Sequence, residues 1–239
     1  NNDFAIVCYL HILFYFECPQ NPSYIRGTLV SNGDVGYDGR SERKRCNATG
    51  TTHGGIEQIG GKWYVFYHRL THGSDYSRQM CAEPLELLPD GSIPQVGMTS
   101  CGLHDGDLPG MGEYPAAICC HLTNGKMPHI ANQIRKNIPV ITHSDTEWYV
   151  GNAKKGTQLG YKYFSIQRNT VLRVTARGNG RVCIKINEQS VGCLSFRSEK
   201  WTEGALQLPE CCAHAALWLT VTEGNLDILS LHFSPEVTK

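Results

Sequence analysis

His53-Gly54-Gly55-Ile56-Glu57-Gln58-Ile59, then Gly60-Gly61, then Lys62-Trp63-Tyr64-Val65-Phe66-Tyr67-His68-Arg69 is the stretch whose reading decides the fold. Two runs with aromatic and β-branched residues flank a pair of glycines, the shortest hairpin connection. Residues 55–59 and 62–69 are therefore expected to pair as strands. In the second, Trp63, Val65 and Tyr67 share one face, and Tyr64, Phe66 and His68 share the other. Both faces are apolar or aromatic, as in an inner strand of a packed sheet. His53 lies just before the hairpin, where glycines are expected to bend the backbone and turn the side chain to an inner surface. Such a hairpin carries no chemistry by itself, and His53 read alone is first a structural histidine.

Outward from this hairpin, turn signals recur at the spacing of short strands. Residues 27–31, 77–88 and 95–100 are expected as strands, and the polar stretch 34–45 and the Gly-, Asp- and Pro-rich stretch 102–112 as loops. Residues 113–122 suit a strand or one helical turn, and periodicity does not separate them. A polar, irregular segment follows, placed as a linker over residues 123–142. Beyond it, strands are expected at 160–166, 170–176, 181–187, 215–222 and 226–233, with Arg177-Gly178-Asn179-Gly180 as a turn. These make a small β-sandwich. Trp218, inside an apolar run, is assigned to its core.

Composition supports an all-β protein and narrows its partners. The 239 residues include 25 glycines, and 22 Lys plus Arg balance 22 Asp plus Glu. No net field favours nucleic acid or an anionic membrane, so neither is expected as a partner. The apolar run at residues 4–16 is too short to span a bilayer and is read as a buried strand or strand pair. The chain starts at Asn1 rather than Met, as a piece of a longer protein would. Eleven cysteines lack any C-x-x-C spacing, are odd in number and include two adjacent pairs. They are expected as reduced, mostly buried thiols of a cytoplasmic protein, with secretion left open.

Several linked motifs carry a resemblance. His53-Gly54-Gly55-Ile56-Glu57, the strand Lys62-Trp63-Tyr64-Val65-Phe66-Tyr67-His68-Arg69, Ser77-Arg78-Gln79 and Asp90-Gly91-Ser92-Ile93 occur in that order. Together they resemble the final blade of glycoside hydrolase family 43, of the arabinofuranosidase and β-xylosidase type. Met98-Thr99-Ser100-Cys101-Gly102 and Gly112-Glu113-Tyr114-Pro115-Ala116 are similar to a subgroup with an appended domain. The resemblance implies the last blade or blades of a five-bladed β-propeller over residues 1–122. A β-sandwich module like those that bind carbohydrate is implied over 143–239.

It also implies hydrolysis of arabinofuranosyl or xylosyl links in plant polysaccharides by two carboxyl groups, with an oligosaccharide or polysaccharide as substrate. By that pattern His53 matches a channel histidine that helps hold a cation, commonly calcium. Arg78 matches an arginine directed at the sugar. Trp148 and Trp201, with Tyr149 and Tyr161, are the aromatic candidates for stacking on sugar rings in the second unit.

The family's catalytic carboxylates belong to earlier blades, and no motif in this chain matches them. Asp34 and Asp38 read as turn residues, and Glu57, Glu83 and Glu86 fall on or beside strands at non-catalytic positions. The chain alone is therefore expected to be inactive. Two classes of function follow: the C-terminal part of a hydrolase, or a non-catalytic carbohydrate-binding or structural module.

Overall fold

A computed structural model describes residues 6–9, 13–16, 27–129, 137–209 and 212–236. The N-terminal apolar run contributes an antiparallel pair, β1 (Ile6–Tyr9) and β2 (Leu13–Phe16). A three-stranded antiparallel sheet follows, with β4 (Lys62–Leu70) between β3 (Gly55–Ile59) and β5 (Arg78–Leu85). The hairpin forms as the sequence dictates. Gly60 and Gly61 both take positive φ, 58° and 83°, which the tightest hairpin turn requires.

Gly54 does not act as a hinge. Its φ is not positive, and a Cβ there would lie 1.8 Å from the carbonyl oxygen of Phe66. It is a glycine because two backbones meet there.

The remaining strands build one nine-stranded sheet. These are β6 (Leu108–Pro109), β7 (Gly112–Pro115), β8 (His121–Thr123), β9 (Val140–His143), β10 (Trp148–Lys154), β11 (Gln158–Ile166), β12 (Thr170–Ile186), β13 (Gln189–Gln207) and β14 (Cys212–Pro235). β14 pairs with β12 along its length, and its other edge takes β11, β10 and β7 in turn. Leu172, Val174, Ala176, Val182 and Ile184 of β12 alternate inward to meet Leu217, Leu219, Val221 and Leu231 of β14 in the main core. Full burial of each Leu, Val or Ile among these contributes about 1.5–3 kcal/mol.

Several expectations need correction, among them the strand placed at residues 27–31, where no strand forms. The turn placed at Arg177-Gly178-Asn179-Gly180 is the middle of the 17-residue strand β12. A Cβ on Gly178 would lie 2.5 Å from Asn225 O, and one on Gly180 2.6 Å from Glu223 O. The β12–β14 register shifts on either side of these glycines, between Thr175 and Ala176 and between Arg181 and Val182. They serve close approach and bulging rather than chain reversal.

Residues 95–100 form no strand. The Tyr37 ring covers Gly97, where a Cβ would meet it at 2.4 Å. Met98 N donates to the Asp34 carboxylate at 2.8 Å instead of to a neighbouring strand.

Part of the chain before residue 122 pairs with the later strands. β6, β7 and β8 pair with β11 or β14, and Leu108, Ala116, Cys119 and Leu122 fill the main core, so this part of the chain belongs to the second sheet. The supposed linker contains β9, which pairs with β10.

Finally, Cys183 and Cys193 are directly opposed across β12 and β13 and form a disulfide, not two thiols. Six other described cysteines are free, with Cys46, Cys119 and Cys120 buried.

Candidate functional site

Between the three-stranded sheet and the sandwich lies a groove of about 590 Å³. One wall comes from the β4–β5 connection and the start of β5: Thr71, His72, Arg78 and Gln79. The opposite wall is the edge strand β9 with Trp148 at the head of β10. Local bonds fix both walls. Ile141 N donates to Thr71 O at 2.7 Å, and His72 Nδ1 donates to Ile141 O at 2.9 Å. Arg78 Nε donates to Asp75 O at 3.1 Å, holding the guanidinium stem over the turn.

The floor hangs on a buried arginine. Arg69 of β4 donates to the Cys119 and Cys120 carbonyls and, through Nη2, to Gln79 Oε1 at 2.7 Å. Gln79 Nε2 in turn donates to Ala117 O at 3.2 Å. A guanidinium can serve so many acceptors at once because its donors form a fixed planar fork.

Two residues chosen on separate grounds thus share this groove, Arg78 and Trp148. Trp148 is 59% exposed, with its ring 4.8 Å from that of His143, its cross-strand partner. Adjacent residues of a strand face opposite ways, so Tyr149 and Trp201 lie on the other side of β10. Trp201 is engaged there. Its Nε1 donates to Glu147 at 2.9 Å, and the Arg177 guanidinium sits 4.3 Å from its ring centre. Arg177 also stacks at 5.1 Å on Tyr149 and pairs with Asp227 at 3.0 Å. One face of Trp201 is covered by the chain itself. Tyr161 is fully buried and donates to Ala116 O, a core role.

His53 lies outside the groove, exposed, with Nδ1 donating to Thr51 O at 2.9 Å. Its ring meets that of His68 edge-on at 4.7 Å. His68 is buried and its Nε2 has no hydrogen-bond partner among the described residues. Burial, then the charges of His53 and Arg78, push its pKa down to about 4, so it is a neutral imidazole near pH 7.

Calcium takes six to eight oxygen ligands, and His53 and His68 offer nitrogens. Among the described residues the three-residue cluster with metal-ligand spacing is Asp34, Cys46 and His121, and His53 is not part of it. That cluster does not suit calcium either. It holds one carboxylate, already paired with the Lys162 ammonium at 3.3 Å and with His121 at 2.6 Å. The Cys46 thiol is held protonated by burial and by the Asp34 charge.

Asp34, His121 and Lys162 form a buried network that sequence reading missed, because 87 and 128 residues separate the partners. Asp34 does sit in a turn, at φ 55°, but its carboxylate ties the loop to β8 and β11. Burial pushes its pKa up; the His121 hydrogen bond and the Lys162 charge outweigh this and leave it lowered. Glu83 is also committed. Its oxygens accept from Tyr67 Oη, Thr99 N and Thr99 Oγ1, and burial pushes its pKa up to about 7. No carboxylate lines the groove among the described residues. The groove can bind through stacking and hydrogen bonding, but its described lining holds no pair of carboxyl groups.

No protein-family model matches the chain. A xylosidase/arabinosidase of Thermoclostridium stercorarium is 36% identical over 209 residues, which cover 81% of this chain and 44% of that protein. The chain thus spans under half the length of the curated relative it matches. Among solved structures, a family 43 arabinoxylan arabinofuranohydrolase from Bacillus subtilis, in complex with cellotetraose, superposes with a TM-score of 0.51 at 15% identity. That match covers 91% of this chain and 46% of the enzyme. A match to a family 6 carbohydrate-binding module from Zobellia galactanivorans covers 51% of the chain and 97% of the module at 12% identity, with a TM-score of 0.42. The chain is related in sequence to a xylosidase/arabinosidase and in fold to a glycoside hydrolase of family 43, the family its hairpin motifs resemble.

Proposed function

We propose that this chain is the C-terminal part of a glycoside hydrolase acting on arabinofuranosyl or xylosyl links of plant polysaccharide side chains, and that it binds substrate without cleaving it. The observation that carries this reading is the 36% identity to a xylosidase/arabinosidase over 81% of the chain. The groove chemistry supports the division of labour. Trp148 offers a ring face to a sugar, Arg78 offers hydrogen-bond donors, and the lining lacks the two carboxyl groups that hydrolysis needs. Trp201 remains a proposed contact only on the face that Arg177 leaves open. A cation at His53 would need oxygen ligands from elsewhere in the enzyme. The Cys183–Cys193 disulfide supports an oxidising compartment, hence a secreted protein in place of the cytoplasmic one expected from the thiols.

The test has two arms. The chain alone, given nitrophenyl arabinofuranoside and xyloside, should release no nitrophenol above buffer. Measurable turnover would overturn the assignment of catalysis to another part of the enzyme. In calorimetric titration, arabinoxylan oligosaccharides should bind the chain, and Trp148→Ala should weaken binding about tenfold, the effect of losing roughly 1.4 kcal/mol of ring contact. Binding unchanged by that substitution would remove the groove from the site.

A further inference from the structure

A second groove, of about 400 Å³, opens on the far side of the sandwich sheet, where the loop before β3 meets β11, β12 and β14. Trp218 lies along it. The apolar run around Trp218 suggests a core residue, but strand parity decides otherwise. Ala215, Leu217, Leu219 and Val221 are fully buried on one face of β14, so Trp218 and Thr220 point out through the other. The ring is held flat over its cross-strand partner Gly160, where a Cβ would lie 2.5 Å from the indole. The His121 ring supports it at 5.2 Å. An indole fixed in this way, part-buried with one side on the groove, is a stacking platform.

The charge around it is one-sided. Arg40, Lys44, Arg45 and Lys185 line the groove, with Glu188 as the opposing charge. The chain as a whole is neutral, so this is a local concentration of cations. Arg45 is partly compensated by Glu42 at 3.8 Å. Lys44 and Lys185 make no ion pair among the described residues, and Lys185 is the direct cross-strand partner of Trp218. Gln158 and Thr220 add neutral hydrogen-bonding groups to the same lining. A ring platform, neutral polar groups and unpaired cations suit a ligand that is both a sugar and an anion.

We propose that this groove binds a glycan bearing a carboxylate, a uronic-acid-substituted oligosaccharide, with a sugar ring on Trp218 and the carboxylate among Lys44, Lys185 and Arg40. The choice of a glycan among anions rests on the proposed function, and the site would hold the acidic side chains of a polysaccharide while other groups handle neutral ones. It is distinct from the Arg78–Trp148 groove, with which it shares no lining residue.

The experiment titrates the chain with a xylo-oligosaccharide carrying one glucuronate and with the neutral oligosaccharide of equal length, at low and high salt. At low salt the acidic probe should bind at least about tenfold tighter, and high salt should shrink the preference. Lys44→Glu with Lys185→Glu, both exposed, should abolish the preference while leaving neutral binding intact. Trp148→Ala should weaken neutral binding and spare the preference. Equal affinity for the two probes, a preference that survives the charge reversals, or equally tight binding of a thymidine oligonucleotide would each overturn the proposal. Neutral binding at Trp148 without an acidic preference overturns this inference alone, whereas loss of all sugar binding overturns the proposed function as well.

Discussion

Replacing Asp34 by Asn tests whether the buried network joins the first unit to the sandwich. The carboxylate accepts from His121 Nε2 at 2.6 Å, Met98 N at 2.8 Å and the Lys162 ammonium at 3.3 Å, and all three residues are buried. Asn keeps the shape and one acceptor but leaves the Lys162 ammonium without its counter-charge. Breaking such a pair from one side costs about 3–5 kcal/mol, a large share of a marginal stability. For a chain of this size that lowers Tm by roughly 6–20 °C. Calorimetry at pH 7, with urea unfolding followed by tryptophan fluorescence, would measure it. Adding Lys162→Met removes the stranded charge, so the double variant should be more stable than Asp34→Asn alone. A cost below about 1 kcal/mol for Asp34→Asn, or full additivity of the two changes, would refute the reasoning. The pH sign follows from the lowered pKa of Asp34: its contribution is present above the ordinary aspartate range and is lost as pH falls through the lowered value.

Four further outcomes are expected. Replacing Cys183 and Cys193 by Ser should cost about 2–4 kcal/mol, the usual effect of a short-loop disulfide, and intact-mass measurement should show the oxidised pair in the parent chain. Gly54→Ala should destabilise by about 3 kcal/mol or more because its methyl meets Phe66 O, whereas Gly55→Ala, with open space around it, should change stability by less than about 1 kcal/mol. His121, pushed down to about 4 chiefly by burial, makes stability rise with pH between about 4 and its ordinary 6.5, by roughly 3 kcal/mol, because only the unfolded chain is protonated there. Glu83, pushed up to about 7 by burial, acts in the opposite sense from its ordinary 4.5 upward, so Glu83→Gln should steepen the rise seen in pH-dependent urea unfolding.

The hairpin at residues 55–70 was legible because its information is local. Two glycines demand positive φ, and aromatic and β-branched residues crowd the strands they join. Arg78 was legible as a candidate because it lies inside a short motif, and Trp148 because it is one of the few aromatic side chains of the second unit. Trp218 was misread because an apolar run shows no alternation when small residues occupy both faces; only the register against Gly160 and Lys185 reveals which way it points.

Sequence by itself determined the all-β class, the central hairpin and the resemblance to a hydrolase family, all properties of contiguous residues. Tertiary structure alone decided that Gly178 and Gly180 lie inside one long strand, that Cys183 faces Cys193, and that Asp34 meets Lys162. It also decided that Arg78 and Trp148, 70 positions apart, line one groove. The physical reason is that side-chain pairing across strands depends on register and on how backbones bend past each other. Those are set by the packing of the whole sheet, not by the residues next to a given side chain.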